Sequence, residues 1–131
     1  MVGDQDPSYR GGSYVLVQKY LHDMQAWEAL SVEEQQRVIG RSKLDDIEMS
    51  DEQKPANSHV ALNDLDPVDG RKREILRDNM PFGQVGSAEF GTYFIGYAAD
   101  PAITETMLEN MVIGNPPGTY DRILDLSLIH I

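Results

Sequence analysis

The sequence predicts an α+β fold. Three observations carry this: two β-branched and aromatic runs centred on Val15–Val17 and Tyr93–Tyr97, capped helical segments placed between and after them, and paired turn signals suited to antiparallel hairpins.

The elements follow in order. Residues 1–12 are polar and glycine-rich and read as a loop. Residues 13–21 carry Tyr14, Val15, Leu16, Val17 and Tyr20, which fit a buried strand. A short helix is expected over 23–30. Ser31 opens a second helix, with Ser31 and Glu34 spaced as a capping box, and Gly40 stops it after Ile39. Trp27 is expected to anchor this helical pair to the sheet. Residues 40–52 hold Arg41, Lys43, Asp45, Asp46, Glu48, Asp51 and Glu52 and read as solvated surface. Pro55 favours extended backbone ahead of His59. Asp66-Pro67 and Asp69-Gly70 are turn signals. Residues 74–80 read as a short strand carrying Arg77, ended by Pro81-Phe82-Gly83, with a loop over 84–88. Residues 89–98 form the second clear strand, in which Gly91 and Gly96 imply a bulge or a close approach by another group. Asp100 and Pro101 are the N-cap and first residue of a helix whose Ile103, Met107, Leu108 and Met111 share one face and read as core. Gly114-Asn115-Pro116-Pro117-Gly118 is a rigid turn, and a last element begins over 120–125.

The chain of 131 residues is long enough for one domain with a core. Its net charge of −11 argues against a nucleic-acid partner, because phosphate binding needs clustered Lys and Arg. The acidity is spread out, as on a solvated surface. There is no cysteine, which excludes disulfides, thiolate metal sites and cysteine nucleophiles and fits a cytoplasmic setting. No apolar run is long enough for a membrane-spanning helix, and the first residues have neither the basic region nor the apolar stretch of a secretory signal.

The chemistry centres on Lys54-Pro55-Ala56-Asn57-Ser58-His59-Val60-Ala61-Leu62-Asn63 and on Ile75-Leu76-Arg77-Asp78-Asn79-Met80. His59 has polar hydrogen-bonding residues on both sides and apolar residues just after it. A neutral imidazole is a good axial ligand for haem iron. An arginine held near peroxide can stabilise the charge that develops as an O–O bond breaks. Taken alone the pairing is weak, since a lone histidine before apolar residues is more often structural and an arginine in a strand more often pairs with a carboxylate.

The wording around these residues is more specific. Asn57-Ser58-His59-Val60-Ala61-Leu62-Asn63, Ile75-Leu76-Arg77-Asp78-Asn79-Met80-Pro81-Phe82-Gly83 and Glu89-Phe90-Gly91-Thr92-Tyr93-Phe94-Ile95-Gly96-Tyr97-Ala98 resemble the C-terminal part of the dye-decolourising peroxidases, bacterial B-type branch. Tyr14–Asp23 and Ile39–Asp46 are similar to the same family. The resemblance implies a ferredoxin-like antiparallel sheet with helices on one face, most of the second of two such halves. Residues 1–125 would be a haem-binding domain truncated at both ends. Residues 126–131 no longer resemble the family and read as a non-native tail, so His130 is not counted as a ligand.

The resemblance further implies one haem b per subunit, with His59 as the proximal iron ligand and a carboxylate accepting its other ring N–H. Asp121 is the better candidate for that carboxylate and Asp125 the weaker, each having a plain alternative as a surface or helix-terminus acid. Arg77 matches the distal arginine, to act on bound hydroperoxide or to contact a haem propionate. Asn79 matches a distal asparagine, with a strand-end hydrogen bond as its plain alternative. The distal aspartate of the family lies outside the chain. His22 reads as structural. Tyr14, Tyr20, Tyr93 and Tyr97 offer surface electron transfer, though core packing is the simpler reading for most, and Trp27 offers radical transfer as the lesser alternative. The expected function is a cytoplasmic, homo-oligomeric haem peroxidase acting on hydrogen peroxide and on dyes or phenols. The competing reading is a ferredoxin-like dimerisation or haem-binding module without catalysis, or a protein that handles haem or porphyrin itself.

Overall fold

The computed structural model describes residues 1–84, 86 and 88–130. The fold is α+β and ferredoxin-like, with a four-stranded sheet of order β2-β3-β1-β4. The strands are β1 (Tyr14–His22), β2 (Leu76–Gly83), β3 (Phe90–Ala98) and β4 (Ser127–His130). The helices are α1 (Met24–Ala29), α2 (Val32–Ile39), α3 (His59–Asn63) and α4 (Pro101–Val112). Two compact units divide the chain. Met1–His22 and Leu65–Thr106 belong to the first; Asp23–Asp64 and Met107–Leu128 form the second.

In the first unit β3 is the central strand, antiparallel to both β1 and β2. Leu16 and Arg77 face Gly96, and Gln18 and Asn79 face Phe94. Period-two alternation therefore puts Leu16, Gln18, Tyr20, Arg77, Asn79 and Phe94 on one side of the sheet. Gln18 and Tyr20 are buried there, while Val15 and Val17 on the other side are 54% and 50% exposed. The sequence expectation of a buried β1 is corrected to a half-buried one, since an antiparallel sheet needs only one covered face. Tyr93 and Tyr97 are exposed on the same open side as Val15 and Val17.

The end of β2 also differs from expectation. Pro81-Phe82-Gly83 continues the ladder, with Pro81 opposite Thr92. A proline lacks an N–H to donate, but β2 is an edge strand, so its outward side needs no partner. The expected loop over 84–88 lies partly outside the described residues. Before it, Asp69 and Gly70 take positive φ, 51° and 71°, within the bridge from Val68 to Arg71, as the Asp-Gly pair requires.

Gly91 is the close approach foreseen in β3. A Cβ there would lie 1.9 Å from the Tyr20 carbonyl oxygen and 2.6 Å from the Phe82 ring. The residues 1–12 loop includes a short 3-10 turn, Pro7–Tyr9, and is closed by Val2 N–H donating to Gly12 O at 2.9 Å. His22 ends β1 beside Thr92 Oγ1 at 3.0 Å, and burial holds its pKa below the ordinary imidazole range.

In the second unit the helix starts follow the sequence. Asp23 and Ser31 accept from the amides of Ala26 and Glu34, at 2.9 and 3.2 Å. The capping box is only half made. Glu34 turns its carboxylate to Arg37 and Arg122 rather than back to Ser31, because two guanidinium donors outcompete one amide. Gly40 ends α2 with φ 92°, and its N–H donates to Gln36 O at 2.7 Å. Gln35 Nε2 donates to Trp27 O at 2.9 Å and ties α2 to α1, where Trp27 is half-buried. Val38, Leu62, Met107 and Met111 are the buried apolar side chains of this unit, each contributing about 1.5–3 kcal/mol by leaving water. Asn110 Nδ2 donates to Leu62 O at 3.1 Å and joins α4 to α3. No described helix is long and apolar enough to cross a membrane.

Two outcomes test this account. Gly91→Ala forces a methyl into the Tyr20 carbonyl, and denaturant unfolding should show a loss of about 3 kcal/mol, the upper range for overpacking. His22 takes up protons more readily unfolded than folded, so folding stability should fall as pH drops below 6.5 and should recover above it. In His22→Gln that part of the dependence should vanish from urea midpoints measured across the same range.

Candidate functional site

His59 is the first residue of α3, and its backbone is fixed before its side chain acts. Ser58 is fully buried and caps the helix, its Oγ accepting from Ala61 N–H at 3.3 Å. Gly40 leaves room for that cap. A Cβ on Gly40 would stand 2.9 Å from Ser58 Oγ, and its positive φ already favours glycine.

The His59 ring is held by Asp121. Nδ1 lies 2.7 Å from Asp121 Oδ2. Asn63 Nδ2 is 3.4 Å from the same Nδ1, but it donates to the His59 carbonyl at 2.8 Å. A carboxylate only accepts, and the Asp121 contact is much the shorter, so Nδ1 carries a proton, and in the neutral ring the lone pair is then on Nε2. Nε2 has no hydrogen bond among the described residues, and the side chain is 32% exposed. The arrangement is an imidazole oriented from behind and open in front, which suits ligation of a metal.

Asp121 is fully buried. Its carboxylate needs donors to offset the lost hydration. Oδ2 has His59, and Oδ1 accepts from Ile123 N–H at 3.0 Å. Its own N–H donates to Met111 O at 2.8 Å. Asp121 thus caps the 3-10 turn Arg122–Asp125 with one oxygen and hydrogen-bonds His59 with the other. The Gly114–Gly118 turn delivers it from the end of α4, and a Cβ on Gly114 would fall 2.3 Å from the Thr119 backbone. Asp125 is exposed and accepts instead from Tyr120 Oη at 2.8 Å, which raises the Tyr120 pKa.

Arg77 and Asn79 lie in the other unit, side by side on one face of β2 and exposed. Arg77 has no ion pair or side-chain hydrogen bond among the described residues. Asn79 N–H donates to Asp78 Oδ1 at 2.8 Å, and its side-chain amide has no hydrogen bond among the described residues. On that face Gln18 Oε1 accepts from Tyr20 Oη at 2.8 Å, while Gln18 Nε2 is buried with no partner among the described residues. A buried unpaired amide is uncommon and marks a place where a polar group is wanted.

Sequence reasoning missed Ser58 and Asn63. Both had a signal: Ser58 precedes a helix by the N-cap rule, and Asn63 is one turn beyond His59.

A family model described as "Dyp-type peroxidase, C-terminal" matches residues 1–129. The chain belongs to this family. It is 67% identical over 126 residues to a dye-decolorizing peroxidase of Rhodococcus erythropolis, covering 96% of this chain and 37% of that protein. Against the dye-decolorizing peroxidase of Mycobacterium tuberculosis the identity is 61%, over 96% of this chain and 38% of the relative. Among solved structures, DypB of Rhodococcus jostii RHA1, as a variant in complex with heme, superposes with a TM-score of 0.93 at 62% identity, covering 98% of this chain and 42% of that one. A dye-decolorizing peroxidase of Bacteroides thetaiotaomicron gives 0.91 at 52% identity, covering 98% and 40%. The chain thus spans about two fifths of the length of these family members.

The donor set fits a metal carried within a prosthetic group. No group of three or more His, Cys, Asp or Glu side chains able to hold a bare ion occurs among the described residues. His59 offers a single imidazole, and a macrocycle supplies the remaining ligands that one side chain lacks.

Removing Asp121 should damage both jobs at once. Asp121→Ala leaves Ile123 N–H without its side-chain acceptor and should cost about 2 kcal/mol in denaturant unfolding. Ser58→Ala should cost about 1 kcal/mol, the usual loss for an N-cap.

Proposed function

We propose that this chain is the haem-binding part of a peroxidase that reduces hydrogen peroxide and oxidises dyes or small phenols in one-electron steps. The observation that carries the reading is the His59 ring, with Nδ1 held by buried Asp121 and Nε2 left open. The relatives named as dye-decolorizing peroxidases, and DypB structures in complex with heme, support it.

Bound haem would supply the redox chemistry with peroxide. His59 Nε2 would ligate the iron. Asp121 draws on the Nδ1 proton, makes the imidazole a stronger donor and fixes its plane. Arg77, which has no carboxylate partner among the described residues, would act as a fixed positive charge toward peroxide or a propionate. Asn79 would position peroxide or water through its side-chain amide. Gln18 Nε2, buried on the same sheet face as Arg77, is a further donor suited to an acceptor oxygen. The reading includes a homo-oligomeric protein of the cytoplasm, the latter in keeping with the absence of cysteine.

The test is titration of the purified protein with hemin beside His59→Ala. A sharp Soret band with high-spin ferric features is expected, and its loss in the variant. A broad band identical in both would overturn the reading. Arg77→Ala should keep the band while kcat/KM for hydrogen peroxide falls by about 10²–10³, the range for losing one electrostatic group at a reacting oxygen.

A further inference from the structure

Asp121 is one peptide bond from Arg122, and Arg122 is held from outside its own turn. The turn Arg122–Asp125 is four residues of 3-10 helix, closed by Leu124 N–H donating to Asp121 O and Leu126 N–H to Ile123 O, each at 3.1 Å, a form with poorer hydrogen-bond geometry than an α-helix. Within reach of it, Arg122 N–H makes only a long contact with Asn57 O, 3.5 Å. The shorter hold is the ion pair from Arg122 Nη1 to Glu34 Oε2, 3.1 Å. Glu34 is itself well placed for this. Its N–H is capped by Ser31 at the start of α2, and its second oxygen accepts from Arg37 Nη1 at 2.8 Å, so both carboxylate oxygens have a guanidinium donor. The two guanidinium groups, Arg122 foremost, keep the Glu34 pKa below the usual carboxylate range.

We propose that Glu34 is a positioning residue for the His59–Asp121 pair, acting through Arg122. α2 thereby sets where the 3-10 turn sits, the turn sets Asp121, and Asp121 sets the plane and donor strength of His59. This rests on the reading of His59 as an iron ligand. Glu34 and Arg122 are 35% and 34% exposed, so the ion pair adds little to stability and is weakened by salt. A change in the His59 hydrogen bond without a matching loss of fold therefore separates positioning from a merely structural role.

The experiment is resonance Raman spectroscopy of the iron–histidine stretch in the ferrous haem-loaded protein, paired with proton NMR of the His59 Nδ1–H in the haem-free protein. Asp121→Asn serves as the reference. Glu34→Gln and Arg122→Met should shift both signals in the direction of Asp121→Asn but less far, with haem affinity reduced about threefold, below the 10- to 100-fold typical of losing the direct partner. Arg122→Lys should restore most of the shift. Arg37→Met should leave both signals in place. Raising salt from about 0.1 M to about 1 M, which shortens the screening length from about 10 Å to about 3 Å, should move the wild-type signals and not those of Glu34→Gln. The proposal is overturned if Glu34→Gln matches wild type while Asp121→Asn shifts, or if Arg37→Met acts as strongly as Arg122→Met. Failure of the haem reading shows separately, as an iron–histidine stretch that survives His59→Ala; the Nδ1–H resonance then still decides the role of Glu34.

Discussion

The second unit depends on the burial of one carboxylate. Asp121 has no exposed surface, so every oxygen must find a donor inside the protein. Oδ1 is satisfied within its own turn and Oδ2 by an imidazole on α3, far away in sequence. The hydrogen bond at 2.7 Å therefore does two things. It closes the unit, and it decides which nitrogen of His59 holds the proton. Most of what surrounds it is support: the Ser58 cap places His59, the glycine turn after α4 places Asp121, and Gly40 clears space for Ser58.

The first unit follows a different constraint, the alternation of a sheet. Because β3 pairs with both neighbours in fixed register, Arg77 and Asn79 must share a face with Gln18, Tyr20 and Phe94. A slip by one residue would turn the guanidinium to the opposite side. Gly91 protects this register, since any side chain there would strike the Tyr20 carbonyl. Pro81 is tolerated in the same ladder only because β2 is an edge.

Local chemistry was legible wherever one short stretch decides the structure. Ser31 and Asp100 cap helices where the sequence placed them, with Asp100 accepting from Ala102 N–H at 2.9 Å. Glu34 was misread for the opposite reason. Its spacing to Ser31 announced a capping box, but a partner from a remote turn, Arg122, was the better donor. β1 reads as a buried strand because its first residues are apolar on both sides, and apolarity alone does not say how many faces a sheet covers. α3 was overlooked because five residues are too few for a helical period to show.

The sequence by itself determined the family, the α+β class and the strands β1, β2 and β3, and it singled out His59, Arg77 and Asn79 as candidates. These lie in local motifs whose residue types and order are visible without folding. Tertiary structure alone decided that Asp121, and not Asp125, reaches His59. Both acids precede or end the same short turn, and only the path of the chain from α4 through the glycine turn buries one and leaves the other in solvent.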